Sequence, residues 1–238
     1  MLRGVVAPEV CARWLALVER RYAVVDRSLD DPEFALHSSS LRLRAVEGLV
    51  IDEVLHQVMR GDLPRRLGTL GACDVDQCWI RRQYAPAQAP PQHAPHSWHQ
   101  DGALNFDFVA HAGLPPPPDA LLDMLTCWIP LTPCGVDAPG IEWLREPAAR
   151  LLTPDELTPE RVRARHPAEA FERPAMNPGD ALLLRGDTLH RTHVTPAMTH
   201  DRTSIELRFF RAQPLPERLR GDRFVSVPGT SQRKVSLR

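Results

Sequence analysis

The sequence has little net charge and no long apolar run. Its formal net charge is -1 over 238 residues, so it lacks the basic excess that attracts nucleic acid or an anionic membrane surface. The most apolar stretch, ALLDMLTCWIPL, is interrupted by Asp123 and is shorter than the about 20 apolar residues of a membrane span. The start, MLRGVVAPEVCARW, lacks the apolar stretch of a signal peptide. We expect a cytoplasmic protein that binds neither nucleic acid nor membrane.

Cysteines are few and irregularly spaced. The five of them form no CxxC pair, which argues against a zinc ribbon or a redox pair. In a chain without an export signal, they are expected to be buried thiols. The residues are Cys11, Cys73, Cys78, Cys127 and Cys134.

The pattern of apolar residues predicts one domain over 1–238, with a helical portion over 1–70 and a β-rich core over 71–238. A first helix is expected from Pro8 to about Tyr22. A second, VEGLVIDEVLHQVMRG, should end at Gly61. Its predicted apolar side consists of Leu49, Val50, Val54, Leu55 and Val58.

Short extended runs separated by turn residues dominate after Gly71, as in a β-sandwich or β-barrel. The fold class is therefore mainly β with flanking α-helices. Residues 89–95 and 114–120 are rich in proline and should be stiff, polyproline-like loops. The segment 145–172 should be an insertion that contains a short helix capped at Thr153, with Glu156 completing the cap.

The stretch SWHQDGAL places a histidine and a carboxylate two positions apart, at His99 and Asp101. On a strand, such residues share a face and lie about 6.5–7 Å apart along the backbone. They could converge on one metal ion, at bonds of about 2 Å. An exposed strand has the same pattern by chance, so the rest of the chain must decide.

A second polar group lies in TLHRTHVTPAMTHDRTSIELRFF, residues 188–210. Two β-rich runs around Pro196 predict a hairpin that pairs His190 with Arg202, and Thr192 with His200. Alternation along the second run separates an apolar face, which should pack on the N-terminal helices, from a polar face that lines a cavity or is exposed. The polar face contains Arg202, Ser204, Glu206 and Arg208, and the apolar face contains Thr203, Ile205, Leu207 and Phe209.

The two groups complement each other chemically. Two histidines and one carboxylate form the facial triad that leaves positions open on Fe(II). An arginine close by offers a planar fork for a carboxylate that also chelates the metal. His193 points away from His190 by strand parity, and His200 lies beside the predicted turn, so His190 is preferred as the ligand. His93 and His96 are expected to be surface residues of the proline-rich loop.

These motifs resemble the phytanoyl-CoA dioxygenase (PhyH-like) family of Fe(II)/2-oxoglutarate-dependent oxygenases. The resemblance covers about 78–210 and rests on WHQDG, on GDTLHRTH and on the arginine twelve residues after the distal histidine. It implies a double-stranded β-helix, or jelly roll, with Fe(II) bound by His99, Asp101 and His190. It also implies that Arg202 binds the distal carboxylate of the cosubstrate 2-oxoglutarate. Further cosubstrate contacts implied by the resemblance are Thr192, Ser204, Gln83, Gln100 and Trp128.

The chain departs from the family pattern on the substrate side. In TPCGVDAPGIEWL, the family's proline and glycine are present as Pro139 and Gly140, but the serine and histidine that follow them in relatives are not. Arg191 replaces a small residue next to the distal histidine. Either Arg81 or Arg82 must point inward from its strand, and because a buried arginine needs an anionic partner, it is a candidate contact for an acidic substrate.

The resemblance implies a dioxygenase that hydroxylates a C–H bond of a small molecule, such as a natural-product intermediate, an amino acid or another acid. The same site also supports desaturation, epoxidation and ring closure. Asp101 argues against the halogenating branch, which has a small residue at this position. Two alternatives stay open: a non-catalytic binding module with this fold, and a cupin-type metalloenzyme that has no need for 2-oxoglutarate or Arg202.

Overall fold

The computed structural model describes residues 1–25, 33–35, 38–68, 70–211 and 224–226. Four α-helices occur in these ranges: α1 (Pro8–Val24), α2 (Ile51–Val58), α3 (Leu63–Leu67) and α4 (Pro159–Arg165). None of the helices described is long and apolar enough to cross a membrane. A cytoplasmic location stays a prediction.

The N-terminal helices follow the apolar pattern of the sequence, with two corrections. Helix α1 begins at Pro8 and buries one face, with Trp14 and Val18 at its centre. Helix α2 covers Ile51–Val58, so it begins later than the predicted segment and ends before Gly61. Val50 was predicted on its buried side but is 58% exposed. The reason is that Val50 is the extended N-cap residue and so does not follow the helical periodicity.

The strands pair in an antiparallel manner and form two sheets. In the larger sheet, the order is β1-β2-β4-β10-β3-β11, with β5 paired to β10 and β8 paired to β5; the smaller sheet has the order β7-β6-β9. The strands are β1 (Phe34–Ala35), β2 (Ser40–Arg42), β3 (Leu70–Asp74), β4 (Trp79–Gln83), β5 (Met124–Pro130), β6 (Gly140–Leu144), β7 (Phe171–Glu172), β8 (Leu182–Arg185), β9 (His190–His193), β10 (Arg202–Arg211) and β11 (Phe224–Ser226). This is the predicted mainly β, jelly-roll fold. It also extends into the N-terminal portion, where β1 and β2 lie.

The larger core lies between the N-terminal helices and the larger sheet. Ile205, Leu207 and Phe209 of β10 are all 0% exposed and belong to the same apolar cluster as Trp14 and Val18 of α1. The predicted alternation of β10 is therefore confirmed. Burial on one face obliges the other face, which carries the polar residues, to point between the two sheets.

The predicted hairpin over 188–210 is wrong. Strand β9 pairs with β6, with Trp143 opposite His190 and Ile141 opposite Thr192. Strand β10 pairs with β4 instead, and Arg202 lies opposite Gln83. The segment around Pro196 crosses from the smaller sheet to the larger one. It is held there by the backbone N–H groups of Thr199 and His200, which donate to the carbonyl oxygen of Asp137 at 2.9 and 3.1 Å.

Several local predictions are confirmed. Thr153 and Glu156 form a capping box at a short 3-10 helix, Pro154–Leu157. Residues 89–95 and 114–120 contain neither helix nor strand. All five cysteines are buried and are thiols, not disulfides. Burial raises the pKa of the Cys127 thiol to about 12, so this thiol is inert at neutral pH.

Candidate metal centre

The backbone brings His99 and His190 together. Each donates its N–H to the carbonyl oxygen of the other, at 2.9 and 3.1 Å, in an isolated antiparallel bridge. Opposite residues of such a pair project to the same side, and the two imidazole centroids lie 4.2 Å apart. The spacing of His99 and Asp101 suggested that both lie on a strand. Asp101 instead begins a 3-10 helix, Asp101–Asn105.

The tautomers of both histidines are fixed by carbonyl groups. Nδ1 of His99 donates to the oxygen of Ser97 at 2.7 Å, and Nδ1 of His190 donates to the oxygen of Thr188 at 2.9 Å. A carbonyl oxygen only accepts, so the proton is on Nδ1 and the Nε2 lone pair is free. A hydrogen bond from the ring nitrogen that does not face the metal is typical of a metal-binding histidine.

The three predicted ligands form one cluster. Nε2 of His99 lies 3.9 Å from Oδ1 of Asp101, and Nε2 of His190 lies 3.8 Å from Oδ2. All three ligand atoms lie within 4.8 Å of one another, so they could share one metal ion. Two imidazoles and a carboxylate are the donor set of non-haem Fe(II) oxygenases, and the residues therefore fit Fe(II).

Both oxygens of Asp101 accept hydrogen bonds from the larger sheet. The Thr126 hydroxyl donates to Oδ2 at 2.6 Å, and Nη2 of Arg208 donates to Oδ1 at 3.0 Å. Burial raises the pKa of Asp101. The charge of Arg208 and the two neighbouring histidines lower the pKa by more than burial raises it, so it lies well below its usual range. The carboxylate is therefore ionised before any metal binds.

His99 is also in its ligand form at neutral pH. Its side chain is 33% exposed. Protein packed around the rest of the ring, together with nearby His190, lowers its pKa to about 4. Neutral imidazole is the form that binds metal, so no proton has to leave His99 at physiological pH.

Gly102 allows the chain after Asp101 to approach β8. Its N–H donates to the carbonyl oxygen of Gly186 at 2.9 Å. A Cβ at position 102 would lie 2.8 Å from that oxygen and 2.7 Å from Cδ1 of Leu121. The glycine of WHQDG is therefore required for the close packing that places Asp101.

A pocket between the two sheets opens at this cluster. It brings together the three predicted ligands and four further residues predicted from the sequence: Arg81, Trp128, Thr192 and Arg202. The other residues that line it are His96, Thr126, Ile141, Leu184, Arg191 and Glu206.

Arg202 is buried in the pocket wall without an acidic partner. Its side chain is among the largest that are fully buried. Nη1 donates to the Ser204 hydroxyl at 2.6 Å, and the guanidinium lies 5.0 Å from the Trp128 ring centroid. Among the described residues, no carboxylate lies within ion-pair distance of it. Burial lowers its pKa to about 10, so Arg202 remains a cation. Its Nε has no hydrogen-bond partner in the part of the chain that the structure describes.

Three other predicted cosubstrate residues do not line the pocket. Gln100 points away from the pocket, because its amide binds the carbonyl oxygens of Arg150 and Asp187 and accepts from the N–H of Leu152. Gln83 is buried opposite Arg202, and Ser204 contacts Arg202 itself. The contact predicted for Gln100 is therefore not supported by its geometry.

The question of Arg81 and Arg82 is resolved by the pairing of β4. Arg81 points into the pocket, where Nε donates to Oε1 of Glu206 at 2.5 Å. Arg82 points to the other side, where it pairs with Glu19 and lies 4.2 Å from the Tyr22 ring centroid. Arg82 therefore cannot contact a molecule in the pocket.

Two histidine predictions have different outcomes. His96 was expected on the surface but lines the pocket, where Nε2 lies 3.2 Å from Nη1 of Arg81. Burial and the charge of Arg81 lower the pKa of His96 to about 2. His193 and His200 do not join the metal cluster, in agreement with the preference for His190.

Sequence reasoning missed the role of Arg208 and Thr126. Arg208 was predicted on the polar face of its strand, but no role was assigned to it. Thr126 lies two residues before Trp128 on β5, so the two side chains project to the same side of the sheet. The prediction made for Trp128 could therefore have been extended to Thr126. Neither contact with Asp101 could be inferred without the register of β5 against β10, which pairs Arg208 with Thr126.

Comparison with known proteins identifies the family. The family model described as phytanoyl-CoA dioxygenase (PhyH) matches residues 1–197. The chain belongs to the PhyH family. No curated protein matches the sequence.

Solved structures show the same fold at low sequence identity. The epimerase SnoN of nogalamycin biosynthesis, described as non-haem and alpha-ketoglutarate-dependent, has a TM-score of 0.63 and 16% identity, over 95% of this chain and 92% of SnoN. The carbocyclase SnoK of the same biosynthesis has a TM-score of 0.58 and 15% identity, over 95% and 90%. AviO1 from Streptomyces viridochromogenes Tue57 has a TM-score of 0.55 and 16% identity, over 90% of each chain.

Family membership and the His–Asp–His cluster together support a non-haem iron and 2-oxoglutarate-dependent oxygenase that acts on a small molecule. The two alternatives raised by the sequence, a binding module and a cupin without 2-oxoglutarate, are both less consistent with this combination.

Proposed function

We propose that this PhyH-family protein is an Fe(II)/2-oxoglutarate-dependent dioxygenase that hydroxylates a C–H bond of a small molecule. The observation that carries the proposal is a metal-ligand cluster in one pocket with a buried arginine that forms no ion pair with any described residue. The cluster fits Fe(II), and Arg202 needs an anion that none of the described residues supplies. A dicarboxylate chelating the metal at one end would supply that anion at the other.

Each residue has a proposed role. His99, Asp101 and His190 would hold Fe(II), and Arg202 would bind the distal carboxylate of 2-oxoglutarate. Ser204 would orient Arg202 through its 2.6 Å hydrogen bond. Thr192 and Trp128 line the pocket. The buried indole N–H of Trp128 has no partner among the described residues and could donate to the cosubstrate.

When bound, Fe(II) and 2-oxoglutarate would supply the activation of O2, with succinate and CO2 as coproducts. The protein would orient these groups and exclude water. Asp101, His190 and Arg202 are each at most 5% exposed, and this burial gives their side chains fixed positions. The low dielectric of such a site strengthens the contact of Arg202 with an anion.

The substrate proposal rests on the similar structures. SnoN and SnoK are described as enzymes of nogalamycin biosynthesis, which supports a natural-product intermediate over an amino acid or a simple acid. The ion pair of Arg81 with Glu206 also supports a substrate without a strong negative charge. Hydroxylation is the proposed outcome, and residues 1–238 are proposed to act as one domain.

The test is an assay for succinate. Purified protein would be loaded anaerobically with Fe(II), given 2-oxoglutarate and candidate substrates, and exposed to O2. We expect succinate, formed faster with the right substrate. A binding module would form none, and a cupin-type enzyme would oxidise its substrate without consuming 2-oxoglutarate.

A further inference from the structure

Asp101 is held at two points by side chains that are neighbours across two strands. Arg208 of β10 lies directly opposite Thr126 of β5, so their side chains project to the same side of the sheet. Arg208 donates to Oδ1 of Asp101 at 3.0 Å, and Thr126 donates to Oδ2 at 2.6 Å. Both contacts are buried, since Asp101, Arg208 and Thr126 are 5%, 6% and 2% exposed.

The guanidinium of Arg208 is itself anchored. Nη1 donates to Oε1 of Gln77 at 3.2 Å, and Nη2 lies 3.8 Å from Oε2 of Glu206. Arg208 thus has contacts with Gln77 and Glu206 in addition to its contact with Asp101. A metal-ligand carboxylate outside the regular strands is oriented by the register of the larger sheet.

We propose that Arg208 and Thr126 are positioning residues that fix the Asp101 carboxylate for metal binding. A carboxylate offers about four lone-pair positions. The two hydrogen bonds use one position on each oxygen and leave one on each for a metal ion. The inference rests on the proposed role of Asp101 as a ligand.

Two effects of Arg208 on metal binding oppose each other. Its positive charge, next to Asp101, repels a metal cation. Its hydrogen bond prevents a buried carboxylate from rotating away from the two histidines. Groups that hold metal ligands typically change metal affinity by about 10–100-fold when they are removed, so we expect the orienting effect to dominate.

The experiment measures Co(II) binding to the full-length, metal-free protein by calorimetry, together with the visible spectrum of bound Co(II). Arg208→Gln is expected to weaken binding at least about tenfold and to change the spectrum. Thr126→Val, which replaces the hydroxyl with a methyl group of similar size, is expected to weaken binding about fivefold. Arg208→Lys, which retains the charge but not the fork, should recover part of the affinity.

Arg82→Gln is the matched control. Arg82 lies on the adjacent strand β4, is paired with an acid and faces away from the pocket. This variant should have a lower thermal midpoint but wild-type Co(II) affinity, which separates loss of stability from loss of positioning.

Unchanged or tighter Co(II) binding in folded Arg208→Gln would overturn the proposal. If Arg208→Gln does not fold, wild-type affinity in Thr126→Val would overturn it. Asp101→Ala is included as a reference. Wild-type affinity in that variant would refute the ligand assignment as well, whereas failure of the Arg208 and Thr126 variants alone would leave the proposed function intact.

Discussion

Glu206 forms an ion pair with Arg81 inside the pocket, with Nε and Oε1 2.5 Å apart. Arg81 was a candidate contact for an acidic substrate because a buried arginine needs an anionic partner. Glu206 provides that partner from within the protein. Arg202, on the same strand as Glu206, has none among the described acids, so it is the better anion site.

The ion pair predicts a specific pattern of stability. Arg81→Gln should lower the free energy of unfolding by about 3 kcal/mol, because removing one partner leaves a largely buried carboxylate without its closest cation. Arg81→Gln combined with Glu206→Gln should cost less than the sum of the two single changes. Chemical unfolding of all four proteins measures this coupling. Additive losses would mean that the pair contributes nothing.

Arg202→Ala should weaken 2-oxoglutarate binding by roughly 2–4 kcal/mol, because it removes a charge-assisted contact in a buried site. Calorimetric titration of the Co(II)-loaded protein with 2-oxoglutarate measures the loss. Co(II) affinity itself should change little, since Arg202 does not contact the three ligands. Wild-type affinity for 2-oxoglutarate would refute the role of Arg202.

Gly102→Ala should destabilise the protein by about 1–3 kcal/mol. The added Cβ would lie 2.8 Å from the carbonyl oxygen of Gly186, so the backbone next to Asp101 must move. We therefore expect weaker Co(II) binding as well as a lower thermal midpoint. A variant with both properties unchanged would show that this packing is not needed to place Asp101.

The metal-free protein should lose stability as the pH falls. The pKa values of His96 and His99 are lowered to about 2 and about 4 in the folded chain, against about 6.5 when unfolded. Below about pH 6.5 the unfolded chain therefore binds more protons, and the free energy of unfolding falls towards pH 4. Denaturant unfolding from pH 7.5 to 4.5 measures this loss.

The control for the pH experiment is a pair of single variants. His96→Asn should reduce the slope between pH 6.5 and 4.5, whereas the same change at His111, an exposed residue, should leave it as in the wild type. Equal slopes in all three proteins would contradict the assignment of this loss to His96.

The sequence was sufficient to predict the candidate ligands and the two faces of β10. Strand alternation is local, so Ile205, Leu207 and Phe209 could be separated from Arg202 and Arg208 without a structure.

Strand pairing is not local. A proline and polar turn residues between two β-rich runs indicate a hairpin as readily as a crossover, and the contacts of Thr199 and His200 with Asp137 could not be read from the sequence. For the same reason, the contact of Arg208 with Asp101 was missed.

Anaerobic titration with Fe(II), followed by the succinate assay, tests most directly the central claim that His99, Asp101 and His190 bind catalytic iron. We expect one Fe(II) per chain in the wild-type protein and 2-oxoglutarate-dependent succinate formation. Asp101→Ala should bind Fe(II) at least about tenfold more weakly and form no succinate. Fe(II) affinity and succinate formation at the wild-type level in Asp101→Ala would contradict the account.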